Sequence, residues 1–296
     1  MSLRHTERNF RSATLVGFSA ILMWSFLTLL TVASGRTPPF QLAALTFAIG
    51  GLVGVASFAV RGIGITALCQ PPEVWALGVG GLFGYHALYF SALRLAPPAE
   101  AGLINYFWPL LIVLMSALLP GERLRPHHVV GTLLGLVGTV VLFAGRDRLA
   151  LAAEYAPGYA AAFVAAFVWS TYSVLSRRFA AVPSDAVAGF CLATAVLAAL
   201  CHMLFETTQW PADRSQWLAV IALGLGPVGA AFYAWDFGVK HGDIRVLGAA
   251  SYAAPILSTL LLVLTGYAEA SISLGLAAVL IAGGGLIAAK DLFLKA

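Results

Sequence analysis

A small set of polar and aromatic side chains stands inside otherwise apolar stretches of this sequence. Tyr85, His86 and Tyr89 fall in one stretch and Asn105, Tyr106 and Trp108 in a second. Phe232 and Trp235 fall in a third, Ser251 and Tyr252 in a fourth, and Trp24 and Trp169 in two more. The rings offer broad apolar faces, while hydroxyls, indole N–H groups and the Asn105 amide offer hydrogen bonds. His86, as a neutral imidazole, donates to a carboxylate or accepts from an ammonium, and near its ordinary pKa it also carries a proton. Such an inventory suits the binding of a small organic solute. It does not suit bond-making: there is no His-Glu-x-x-His, no Gly-x-Ser-x-Gly, no Walker sequence and no paired carboxylates within an apolar stretch. This argues against an ATP-driven pump and against a hydrolase, and leaves a membrane-embedded enzyme as the alternative from another class.

The elements that hold these groups follow from composition. Of 296 residues, 60% are hydrophobic and 10% charged, and the mean hydropathy is +0.89. A soluble domain carries about 25% charged residues, so this chain is read as an all-α, polytopic membrane protein whose main partner is the lipid bilayer. A net charge of +4, scattered between apolar runs, gives no nucleic-acid footprint. Cys191 and Cys201 are ten positions apart on one helix, beyond disulfide reach, and Cys69 stands alone. No metal-ligand spacing and no cofactor motif occurs.

Ten apolar segments of near-spanning length are marked, at roughly 14–34, 39–60, 74–94, 99–119, 127–145, 157–177, 184–204, 216–238, 246–266 and 271–290. The first is too long for a signal-peptide core and is read as an uncleaved helix. The alternation a membrane barrel needs is absent. With the N-terminus inside, 12 of the 17 Lys and Arg fall in inner loops, which favours an N-in, C-in arrangement.

The two halves of the chain, 1–150 and 151–296, then align. Trp24-Ser25 matches Trp169-Ser170 at a separation of 145, and Trp108-Pro109 matches Ala254-Pro255 at 146. At the latter spacing Asn105 falls on Ser251, Tyr106 on Tyr252, Gly102 on Gly248, Tyr89 on Trp235 and Gly138 on Gly284. Five helices per copy is an odd number, so the second copy enters the membrane from the opposite side. Inverted repeats are a hallmark of transporters that bind their solute where the repeats meet.

These halves, the Trp-Ser pair in the first helix of each, and Pro120-Gly121-Glu122 after the fourth helix, opposite Tyr267-Ala268-Glu269, resemble the drug/metabolite transporter superfamily (EamA-type). Within it, Asn105-Tyr106-Phe107-Trp108-Pro109 is similar to a string found in bacterial aromatic amino acid exporters of the YddG type. The resemblance implies a multi-pass protein of the bacterial cytoplasmic membrane that exports amino acids, aromatic ones above all, by alternating access. A broad-specificity metabolite or drug exporter of the same superfamily is the second reading. The twelve residues named in the opening paragraph are the expected substrate-binding set. Facilitated export is the first expectation, since no Asp or Glu falls mid-span, and the oligomeric state stays open, with a monomer sufficing.

Other residues are expected to be structural. Asp236 and Lys240, with Asp243 and Arg245 nearby, form an ion-pair cluster near the inner face, so that His86 is the one ionisable side chain deep in a span. Arg94 and Glu100 pair across Pro97-Pro98, and His127 and His128 are solvated. Trp75, Trp210 and Trp217 anchor helices at the interface. Gly50/Gly54, Gly80/Gly84 and Gly131/Gly135 mark close helix contacts. Trp108-Pro109 and Gly224 to Pro227 mark bends.

Overall fold

The structure is a computed structural model that describes residues 3–120, 123–145, 152–266 and 269–291. Nine of its described helices are long and apolar enough to cross a bilayer: α1 Asn9–Ala33, α2 Pro39–Arg61, α3 Pro72–Leu95, α4 Pro98–Ser116, α5 Pro126–Ala144, α6 Ala153–Phe179, α7 Ser184–Phe205, α8 Arg214–His241 and α9 Ile244–Leu264. The apolar α10, Ile272–Ala288, is shorter at 17 residues. No strand occurs among the described residues. In hydrocarbon only helices satisfy their own backbone over such lengths, and the chain is a multi-pass membrane protein. Gly121, Glu122, Tyr267 and Ala268 of the family-like loop strings, and Arg146, Arg148 and Lys295, lie outside the described residues.

The pairs Pro38-Pro39, Pro71-Pro72 and Pro97-Pro98, and the single Pro126, turn out to be helix starts. Pro39, Pro72, Pro98 and Pro126 each occupy the first turn, where a missing N–H costs nothing. Packing is dominated by α5 on α10, α2 on α7, α1 on α8, and α3 on α6, with α4 on both α6 and α9, and α1 also on α9. This pattern is unchanged when each helix of the first half is exchanged with its counterpart in the second. The exchange fails where α9 leans on α5 while α4 makes no comparable contact with α10, and where α8 touches α6 while α3 makes no comparable contact with α1.

Close approach depends on glycine at two crossings. A Cβ on Gly238 of α8 would stand 2.4 Å from the Cα of Gly17 in α1, and one on Gly131 of α5 would stand 2.4 Å from the carbonyl oxygen of Gly284 in α10. Gly50 meets Gly229 and Gly54 meets Tyr233 in the same way. The expectation for Gly80/Gly84 is corrected: nothing lies within 4 Å of a Cβ on Gly80, and only Val168, at 3.7 Å, approaches Gly84. These two glycines bound a π-helical turn, Gly80–Gly84, and a second such turn spans Gly226–Ala230 of α8. α4 also breaks at Tyr106 and Phe107, and α9 at Ser251 and Tyr252.

Polar bonds gather at the two ends of the bundle. At one end Arg61 pairs with Asp185, Arg125 with Asp291 at 2.8 Å, and Arg177 donates to the carbonyls of Val239 and Gly242. At the other, the buried Glu206 carboxylate accepts from Arg94 at 2.7 Å, from the backbone N–H groups of Phe40 and Gln41, and lies 3.0 Å from His202 Nδ1. Arg94 therefore does not pair with Glu100, whose carboxylate is held instead by the Tyr159 hydroxyl.

His128 is buried rather than solvated: its Nδ1 accepts from the Arg125 backbone N–H at 3.1 Å and closes the first turn of α5. In the neutral ring Nε2 then carries the hydrogen. So although His127, His128 and Asp291 place ligand-type atoms within 4.8 Å of one another, His128 has no free lone pair to give an ion. Of the tryptophans near helix ends, Trp75 packs edge-on against Phe190, whereas Trp210 and Trp217 stack on each other and face outward. Because α8 continues to His241, Asp236 and Lys240 lie inside a spanning helix, 2.8 Å apart and buried, so His86 is not the one ionisable side chain there.

Two tests follow from this packing. Gly131→Leu is expected to destabilise by about 1–3 kcal/mol through overpacking, read as a lower melting temperature in detergent. Gly283→Leu, whose Cβ meets nothing within 4 Å, is expected to leave that temperature nearly unchanged. The second test concerns Asp243, which caps α9. Burial would raise its pKa, but Arg245 and the N–H groups of Arg245 and Val246 outweigh burial and hold it below the usual carboxylate range. A depressed folded-state pKa gives stability that is present above the unfolded value and lost as pH falls through the folded one. Asp243→Asn should therefore be less stable than wild type at pH 7, and the gap should close on acidification.

Candidate functional site

Among the described residues, a cavity of about 180 Å³ lies between α1, α3, α4, α6, α8 and α9. Of the twelve residues singled out from sequence, nine line it: Trp24, Tyr85, His86, Tyr89, Asn105, Tyr106, Trp108, Trp169 and Phe232. No Asp, Glu, Lys or Arg is among its lining residues.

The wall is an aromatic lattice. Trp24 meets Trp108, Trp169 and Phe232 edge-on, with ring centres 6.3, 5.7 and 6.1 Å away. Tyr85 stacks on Tyr89 at 5.9 Å, as i,i+4 neighbours on one helix face should. The Asn105 amide nitrogen donates to the Tyr85 hydroxyl at 3.0 Å, tying α4 to α3. Ser170 of α6 donates to the Trp108 carbonyl at 3.0 Å, beside the break in α4. His86 sits among Phe47, Tyr85, Phe90 and Phe232, with centroids 5.0, 5.0, 5.8 and 6.0 Å from its own.

Three expected residues fall elsewhere. Trp235 is fully buried behind the wall, 5.1 Å from Trp24 and 5.9 Å from Trp108 by ring centres, and its N–H is held by the Ser173 hydroxyl. Ser251 is buried and donates to the Leu247 carbonyl. Tyr252 turns toward α5, where a Cβ on Gly135 would be 2.4 Å from its ring. The matched string in α4 keeps Asn105 and Tyr106 on the cavity, so correspondence in sequence does not carry the facing side with it. The difference follows the contact of α9 with α5.

The residues missed are Leu27, Thr28, Pro227, Val228, Ala254 and Ser258. Helical spacing carried a signal for two of them: Thr28 lies at i+4 from Trp24, and Ser258 at i+4 from Ala254, the counterpart of Trp108.

A second crevice, of about 590 Å³, lies between α2, α8 and residues 180–185 and shares no residue with the cavity. Its apolar walls include the outward-facing Val53, Leu225 and Phe237. Several of its polar groups are engaged, Arg61 with Asp185 and the Tyr233 hydroxyl with the Gly50 carbonyl. The smaller aromatic cavity, lined by helices of both halves, is the candidate solute site.

Comparison with known proteins bears on this arrangement. Residues 11–144 and 156–290 each match the EamA-like transporter family. The aromatic amino acid exporter YddG of Ancylobacter novellus is 63% identical over 94% of this chain and 96% of its own length. The exporter of the same name from Escherichia coli is 26% identical over the same shares. A crystal structure of a protein 62% identical superposes with a TM-score of 0.91, covering 95% of this chain and 98% of that one.

The Asn105–Tyr85 bond is open to a double-mutant cycle. Asn105 Oδ1 is buried and has no partner among the described residues, so Tyr85→Phe removes the amide's one bond there and is expected to destabilise by about 1–3 kcal/mol. Asn105→Leu in the Tyr85→Phe background should recover part of that loss, measured by thermal unfolding in detergent.

Proposed function

The chain belongs to the EamA-like transporter family, and on that premise we propose that it exports aromatic amino acids from the cytoplasm through the aromatic cavity. The observation that carries this reading is a cavity walled by indole, phenol and phenyl rings with no charged side chain among its lining. A ring lies between Trp24, Trp108, Trp169 and Phe232, and the zwitterionic end meets His86, Asn105 and the tyrosine hydroxyls. A net-neutral site suits a net-neutral solute, because a buried unpaired charge on either partner would be costly. The names of the relatives, one of them 63% identical, support the same substrate class.

The mechanism we infer is alternating access between two inverted five-helix repeats, 1–150 and 151–296, in a ten-span, N-in and C-in arrangement. Support comes from the two family-matched stretches, from packing that survives exchange of the halves, and from the inner excess of Lys and Arg. On this orientation Thr28, Tyr89 and Ser258 lie toward the outer ends of their helices. The inner side of the cavity is filled by Trp235, Tyr172 and the Asp236–Lys240 pair. The described conformation then faces outward. Rocking is expected to flex α3 and α8 at their π-helical turns and α4 and α9 at their breaks. With no carboxylate in the lining, transport is read as facilitated.

Counterflow of labelled phenylalanine, tryptophan, threonine and alanine in proteoliposomes tests the substrate class. Phenylalanine and tryptophan should exchange fastest, and an imposed pH gradient should not be required. Equal inhibition by cationic dyes would move the assignment to a broad-specificity exporter. Ala254→Phe, which adds a ring inside a cavity of about 180 Å³, is expected to abolish phenylalanine counterflow while the protein still purifies as a folded monodisperse species. Trp108→Phe should weaken exchange on the order of tenfold, about 1.4 kcal/mol of lost ring and indole contact.

A further inference from the structure

The two π-helical turns stand 146 positions apart, Gly80–Gly84 in α3 and Gly226–Ala230 in α8, which is the offset that aligns the halves. A π turn closes its hydrogen bonds over five residues instead of four, and such turns recur at functional sites. Here each turn offers a carbonyl to a side chain of the cavity. The Leu82 carbonyl lies 2.7 Å from His86 Nδ1, and the Pro227 carbonyl lies 3.0 Å from Trp24 Nε1. A carbonyl oxygen only accepts, so in both pairs the side-chain nitrogen carries the hydrogen.

The consequences for the cavity are opposite in kind. In α8 the turn takes the Trp24 N–H out of reach of a solute. In α3 it commits the one hydrogen of a neutral His86 to Nδ1 and leaves Nε2 with a bare lone pair. No carboxylate lines the cavity to balance an imidazolium, and four aromatic rings surround the histidine, so the neutral ring is the form this site holds. Nε2 has no protein partner among the described residues. The same cavity is lined by groups that can donate, the hydroxyls of Tyr85, Tyr89, Tyr106 and Ser258 and the indole N–H groups of Trp108 and Trp169, beside the Asn105 amide, whose Oδ1 is a further acceptor.

We propose that the Gly80–Gly84 turn fixes His86 as the acceptor for the α-ammonium of the solute, so that His86 selects aromatic compounds bearing an amine while the hydroxyl and indole donors receive the carboxylate. This rests on the reading of the cavity as the transport site. It goes further in giving the site a polarity. The sequence leaves both roles of His86 open, and the Leu82 carbonyl decides between them.

The test is competition against labelled phenylalanine counterflow by two half-ligands, 2-phenylethylamine, which keeps only the ammonium, and 3-phenylpropionate, which keeps only the carboxylate. His86→Phe keeps an aromatic ring and removes the acceptor. It is expected to weaken competition by phenylalanine and phenylethylamine at least tenfold, the scale of one hydrogen bond to a charged group, and to change that by phenylpropionate less than twofold. A loss confined to phenylpropionate, or equal for both half-ligands, would overturn the assignment. Should His86→Phe fail to fold, 15N NMR of histidine-labelled wild-type protein decides the point. The His86 signal, identified by its loss in His86→Gln, should report a protonated Nδ1 and a bare Nε2 that shifts on addition of phenylethylamine. A protonated Nε2 would overturn the proposal. Absence of phenylalanine counterflow in the wild-type protein would instead remove the transport reading, and the polarity with it.

Discussion

Hydrocarbon offers the peptide backbone no hydrogen-bond partner, and that constraint governs every irregularity in this protein. A helix that bends inside the bilayer loosens its own ladder, and any group it releases must be met by something nearby. At the two π-helical turns the meeting groups are His86 and Trp24. At the break in α4, the Ser170 hydroxyl of α6 bonds the Trp108 carbonyl. The bends and the cavity lining are therefore one feature: the places where the helices give way are the places where polar side chains must gather.

Much of this is legible in the residues. Spans follow from hydropathy, since nothing else buries stretches such as 184–204, and the proline pairs mark helix starts because an N-terminal turn has no use for the missing N–H. Most of the cavity is legible too, because an aromatic or amide group facing lipid at mid-depth would gain nothing there. Tyr85, Tyr89, Asn105 and Trp108 converge for that reason.

The parts that escaped depend on rotation and on neighbours. Ser251 and Tyr252 occupy the register of Asn105 and Tyr106 yet point away, because α9 rests against α5 and Gly135 opens a slot for the tyrosine ring. Trp235 is one helical position too deep and becomes backing for three other tryptophans. His128 reads as a loop residue by its basic, proline-flanked surroundings, but its ring is recruited to close a helix turn. The glycine pair Gly80/Gly84 has the spacing of a packing motif and serves instead as the ends of a wider turn. In each case the residue type was informative and the face was not: Tyr252 is turned by a helix more than a hundred positions away, whereas His128 is held by Arg125 three positions before it.

The Glu206 carboxylate adds a constraint on how such a chain is made. It caps the first turn of α2 by accepting from the N–H groups of Phe40 and Gln41, separated from them in sequence by 166 and 165 residues. While the ribosome is still synthesising α3 to α6, the start of α2 already sits in the membrane with those amides facing interfacial water. They acquire their permanent partner only when the end of α7 emerges and Arg94 closes over it. Maturation of the first half thus waits on translation of the second, and an insertion machinery that released the early helices separately would release them with an unfinished end.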